Sequence, residues 1–230
     1  MLSKISASIL KNVSFKGNTN TTTNNKLEKS PSKDCIEINS KNNQTISPEV
    51  KRVLDSMVFP FKKNNGEVYE GTIKDYLKSS VIGTRPMRNI SLIHCTSTKD
   101  TAEQMIKTGL DWTKTGRMKC GPGSYFSPSA AGGTEQGAGS IPVEGIYIGN
   151  KKEYAIFEPC FYEAIESQTE LKELVSKLQD EDARKTINKY CHDFIQDEMG
   201  IDILYASSGR GVGSYVVFND KCMKLQKYNW

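Results

Sequence analysis

Apolar runs in this chain are short, and that limits the fold more than any other feature. Strand-like stretches recur at 91–96, 144–149, 153–157, 201–206, 214–219 and 222–228, none longer than seven residues. Helical spacing separates them at 100–107, 162–178 and 181–198, with Gly109 and Gly200 where helices would stop and Asp180 as a cap. The segment 66–77 reads as a short strand followed by a turn or helix. A Gly-Asn-Lys-Lys turn joins 144–149 to 153–157 and suits a hairpin. Many short strands with a few inserted helices predict an α+β fold, not a doubly wound parallel sheet. No stretch approaches the roughly 18 apolar residues of a membrane-spanning helix, so no membrane partner is expected.

Order is expected to begin at Ser47-Pro48-Glu49. Ser suits the N-cap and Pro the first helical position, with Val50, Val53, Leu54 and Met57 as the buried stripe. Upstream, 19 of the 37 residues at 11–47 are Ser, Thr, Asn or Gln. Such a segment has too few apolar groups to offset chain entropy. Residues 1–47 therefore read as a disordered polar leader and 48–230 as the folded domain. Residues 1–10 make a poor signal peptide, because Ser6 and Ser8 break the apolar stretch. Charge divides at the same place. Seven Lys and three acids at 1–47 account for the whole net charge of +4, leaving 24 basic and 24 acidic residues beyond. A balanced domain argues against a nucleic-acid partner. Six cysteines lie 25 to 60 residues apart without any CxxC pair, so no structural metal is expected and the thiols read as reduced.

Two stretches combine residue types that packing alone does not require. One is Leu92-Ile93-His94-Cys95-Thr96, followed by a helix and Gly109-Leu110. The other is Gly121-Pro122-Gly123-Ser124-Tyr125-Phe126-Ser127, which opens a glycine-rich region. With Ser214-Tyr215-Val216-Val217-Phe218-Asn219 near the end, their order and spacing resemble the ADP-ribosyltransferase family, on its poly(ADP-ribose)-polymerase-like, diphtheria-toxin-like side. The resemblance covers about 90–230. It implies an ADP-ribosyltransferase-like fold of two packed, mostly antiparallel sheets with inserted helices, and NAD as co-substrate.

The same resemblance supplies residue roles. His94 would donate an imidazole N–H to a ribose hydroxyl. The Cys95 main chain would hold the nicotinamide carboxamide, with Thr96 in support. Tyr125 would stack on the nicotinamide ring, Phe126 and Ser127 would complete the pocket, and Gly121 and Gly123 would let the backbone approach the ligand. The family's catalytic Glu falls at Ser214, a departure that removes a carboxylate aimed at developing positive charge. Asp220, at the end of the same strand, and Glu135, in the glycine-rich loop, are candidate substitutes.

The activity implied is mono-ADP-ribosylation of a protein side chain, possible on a host protein if the chain is a secreted bacterial effector acting in a host cytosol. A cytoplasmic enzyme is the alternative location, and a monomer the expected state. A non-catalytic NAD- or ADP-ribose-binding or protein-binding module on the same fold, or an NAD glycohydrolase, stays open. An RNA 2′-phosphotransferase relative is disfavoured by the balanced charge. Cys191-His192 lacks an orienting partner for nucleophilic chemistry. GRGVG at 209–213 opens a strand, not a helix, and so reads as a turn.

Overall fold

The first helix forms where the chain supplies a cap. In the computed structural model, which describes residues 45–87, 90–114, 118–135, 139–179, 182–207 and 213–229, the Ser47 hydroxyl accepts the Val50 N–H and Pro48 opens α1 (Pro48–Ser56). Val50 and Leu54 are its buried face. The polar leader lies outside the described residues up to position 44. All described elements belong to the unit Gln44–Trp230.

The chain continues through β1 (Phe59–Lys62), β2 (Val68–Gly71), α2 (Ile73–Ser79), β3 (Val81–Pro86), β4 (Ser91–Thr96) and α3 (Lys99–Thr108). Next come β5 (Ser124–Phe126), α4 (Ala130–Glu135), β6 (Ile141–Tyr147), β7 (Glu153–Phe157), α5 (Phe161–Glu166), α6 (Thr169–Leu178) and α7 (Ala183–Asp193). A π-helical turn, Phe194–Glu198, leads to β8 (Ile203–Ser207), β9 (Gly213–Val217) and β10 (Met223–Lys227). The fold is α+β.

Three sheets form among the described residues. β1 and β2 make a two-stranded ribbon, β10-β6-β4 a three-stranded sheet, and β3-β7-β8-β9-β5 a five-stranded one. All pairings are antiparallel except β7 with β8. A single pair, Ile93 with Ser127, joins β4 to β5 and so the two larger sheets.

The hairpin expected between 144–149 and 153–157 does not form. β6 pairs with β10 and β4, whereas β7 pairs with β3 and β8. The connection crosses between sheets because the Tyr147 hydroxyl is pinned there. It donates to Asp202 Oδ2 at 3.0 Å and accepts the Lys151 N–H at 3.0 Å. Gly149 leaves the necessary room, since a Cβ there would stand 2.3 Å from that hydroxyl oxygen. The helix expected over 162–178 is two helices, broken between Glu166 and Thr169. Asp182 caps α7, accepting the Arg184 N–H at 2.9 Å. Asp180, expected in that role, lies outside the described residues.

Two cores result. The larger gathers α1, α2, α5, α6 and α7 against one face of the five-stranded sheet, through Ala155, Phe157, Leu204, Ala206 and Val216. The smaller lies on the opposite face and holds Leu92, Phe126, Tyr154, Ile203, Val217 and Met223. Alternation along each strand sorts these residues. No described helix is long and apolar enough to cross a membrane.

Candidate functional site

β4 and β5 meet once and then part. The Ile93 N–H donates to the Ser127 carbonyl and the Ser127 N–H to the Ile93 carbonyl, both at 2.8 Å. Residues two apart on a strand turn their main-chain groups to the same side. Cys95 therefore turns its N–H and C=O away from β6, one step past the bridge between β4 and β5. Pro142, lacking an N–H, is its partner on the β6 side.

His94 spans the opening. Its Nδ1 lies 2.6 Å from the Tyr125 carbonyl oxygen. A carbonyl only accepts, so Nδ1 carries the proton. Burial lowers the His94 pKa from the usual histidine value, opposed by that same bond. The ring is thus neutral near pH 7, and Nε2 presents a lone pair that has no partner among the described residues. The donor role expected of His94 becomes an acceptor role: a ribose hydroxyl would donate to it. The other ring face is set by Phe126, with centroids 5.4 Å apart.

Tyr125 adjoins His94 but projects to the other face of the sheet. Its ring packs against the larger core, and its hydroxyl is committed to the preceding loop. It donates to the Gly121 carbonyl at 3.0 Å and accepts the Cys120 N–H at 2.9 Å. Burial pushes its pKa well up. The half-buried ring is thereby fixed against that core, and the hydroxyl is no free catalytic group.

The glycines beside it answer to packing. A Cβ on Gly123 would stand 2.6 Å from Val216 Cγ1 and 2.7 Å from the Val217 carbonyl oxygen. Gly121 has φ +106°, and a Cβ there would press on the rings of Phe161 and Phe218. The close approach expected between this backbone and a ligand is instead an approach to β9 and the aromatic core.

The remaining expected residues divide. The Thr96 hydroxyl donates to the Thr98 carbonyl at 2.9 Å. The Cys95 thiol faces the Ala130 carbonyl at 3.6 Å. Ser127 is buried, its hydroxyl donating to the Ser129 carbonyl. Ser214 is 2% exposed on β9, opposite Ala206. The Phe126–Tyr215 pairing puts Ser127 and Ser214 one step further along adjacent strands. His94, Cys95, Thr96, Tyr125, Phe126, Ser127 and Ser214 therefore share one neighbourhood. Asp220 does not join them. It is exposed in a 3-10 turn past the far end of β9, with Oδ2 facing Gly109. Glu135 ends α4, and its side chain lies outside the described residues, as does the 208–212 turn.

Sequence reading missed a stacked pair elsewhere in the larger core. Trp112 stacks on His192 at 4.3 Å between centroids, and His192 Nε2 donates to the Phe218 carbonyl at 3.1 Å. A surface groove of about 580 Å³, lined by Lys62, Lys63, Cys160, Glu163 and Glu166 among others, includes none of the expected residues. Three of its lining charges are paired, Lys63 with Glu158, Glu163 with Lys119 and Glu166 with Arg184. Among the described residues no group of His, Cys, Asp or Glu is placed to hold a metal ion. No family model and no curated protein matches the chain.

Proposed function

We propose that the domain has an ADP-ribosyltransferase-like fold, binds NAD in the opening between β4 and β5, and transfers a single ADP-ribose to a protein side chain. The observation that carries this reading is the His94 ring, held by the Tyr125 carbonyl with Nε2 bare beside the parted strands. Nε2 accepts a hydrogen bond from a ribose hydroxyl. The resemblance assigns the nicotinamide carboxamide to the strand end at Cys95, on the side of β4 turned away from β6. In the reaction the bond between nicotinamide nitrogen and ribose C1 breaks, its electron pair leaving with nicotinamide. A lone pair of the acceptor side chain forms the new bond to C1, and the acceptor's proton passes to solvent.

Ser214 supports a second reading. A buried hydroxyl gives developing positive charge far less stabilisation than a carboxylate. Binding of NAD or ADP-ribose without turnover follows if no other acid reaches the site.

Incubating the full chain with labelled NAD and a cell lysate separates these readings. Labelled protein bands with nicotinamide release are expected, both lost in His94→Ala with the melting temperature near wild type. Nicotinamide without bands would make the protein a hydrolase. Calorimetric NAD binding without either product would make it a binding module, and no binding at all would overturn the reading.

A further inference from the structure

On the same face of the five-stranded sheet as Phe126, four adjacent strands bring together residues far apart in sequence. Tyr215 on β9 pairs in register with Phe126 on one side and with Tyr205 on the other. Its ring meets Tyr205 edge-on at 5.1 Å and Tyr154 of β7 edge-on at 5.5 Å. Arg85 of edge strand β3 pairs in register with Tyr154, so its side chain leaves the sheet on the same face. The Tyr215 hydroxyl lies close enough to that of Tyr154 to hydrogen-bond with it, and within reach of the charge on Arg85.

Beyond the contact between the two phenols, the polar ends of this cluster are uncommitted among the described residues. Among the described residues Arg85 is exposed and has no carboxylate partner, and neither phenol hydroxyl has a main-chain or acidic acceptor. The nearest acid in register, Glu153, alternates to the opposite face and accepts the Thr84 hydroxyl there at 2.9 Å. The rings themselves are fixed. Tyr154 is largely buried, and Tyr205 is locked over Gly213, where a Cβ would stand 1.9 Å from its hydroxyl oxygen. Fixed phenol donors beside a fork of guanidinium N–H groups suit a tetrahedral oxyanion, whose oxygens can take both kinds of donor at once.

We propose that Arg85, Tyr154 and Tyr215 form a binding site for a phosphate group, either inorganic phosphate or a phosphate monoester. The fork of Arg85 takes two oxygens and a phenol a third, while Tyr205 braces the ring of Tyr215. This site is independent of the NAD reading, because it uses none of the residues assigned to that pocket.

Calorimetric titration of the full chain with inorganic phosphate, and separately with glycerol 2-phosphate, tests it. Saturable binding is expected, weakened about tenfold or more in Arg85→Gln and about threefold to tenfold in Tyr215→Phe, the scale of a charge-assisted and an ordinary hydrogen bond. Tyr215→Phe keeps the aromatic packing, so circular dichroism should match wild type. Tighter binding of the ester supports a monoester ligand, and tighter binding of inorganic phosphate supports the free ion. Binding absent with both probes, or unchanged in both variants, overturns the proposal. A parallel NAD titration keeps the two sites apart, since losing NAD binding leaves the phosphate result standing.

Discussion

His94 shows how one contact sets a side chain's chemistry. The imidazole was legible in the sequence as a strand-end residue, but its hydrogen-bonding sense was not. That sense depends on the Tyr125 carbonyl, 31 positions away. Because burial lowers its folded pKa, the unfolded chain binds more protons in the window between that value and about 6.5. Stability therefore rises with pH through the window. The contribution is fully present above it and is lost as pH falls toward the folded value. Wild type should lose more melting temperature between about pH 7 and about pH 5 than His94→Gln, which removes the titrating group. Thermal denaturation of both proteins at both pH values checks this, and parallel losses would remove His94 as a buried neutral ring.

At the scale of elements, local signals were readable where they were complete within a few residues. Ser47 and Pro48 announce α1, and Gly109 ends α3 with φ +89°. The partnership of β6 and β7 was not readable, because a turn-like Gly-Asn-Lys-Lys sequence cannot report that Tyr147 is held by Asp202. The glycines make the same point. Gly123 and Gly83 both lie in strand-rich sequence, yet a Cβ on Gly123 collides with β9 while one on Gly83 meets nothing within 4 Å. Gly123→Ala should cost about 1–3 kcal/mol or more through overpacking. Gly83→Ala should be neutral or stabilise by up to about 1 kcal/mol by restricting the unfolded chain. Urea denaturation midpoints distinguish them. Similar midpoints would mean that β5 is not pressed against β9 as described.

Across the whole molecule, the α+β class followed from strand length and inserted helices, but the joining of the sheets rests on one pair and on side-chain contact. Ile93 meets Ser127, and Phe126 fills the space over Gly145, where a Cβ would stand 2.7 Å from its ring. Such contacts couple the two cores only if both unfold together, and the cysteines are placed to report on it. Cys120 and Cys191 sit in the larger core and Cys222 in the smaller. Burial pushes each of these thiols up to about 12, so almost none is thiolate, the reactive form, near pH 8. Alkylation at about pH 8 should therefore wait on unfolding. As guanidinium is raised, peptide mass spectrometry should show Cys120 and Cys222 modified at the same rate if the Ile93–Ser127 junction makes one cooperative unit. Modification of Cys222 well before Cys120 would mean that the three-stranded sheet opens alone, and the bond from His94 to the Tyr125 carbonyl would then break with that opening.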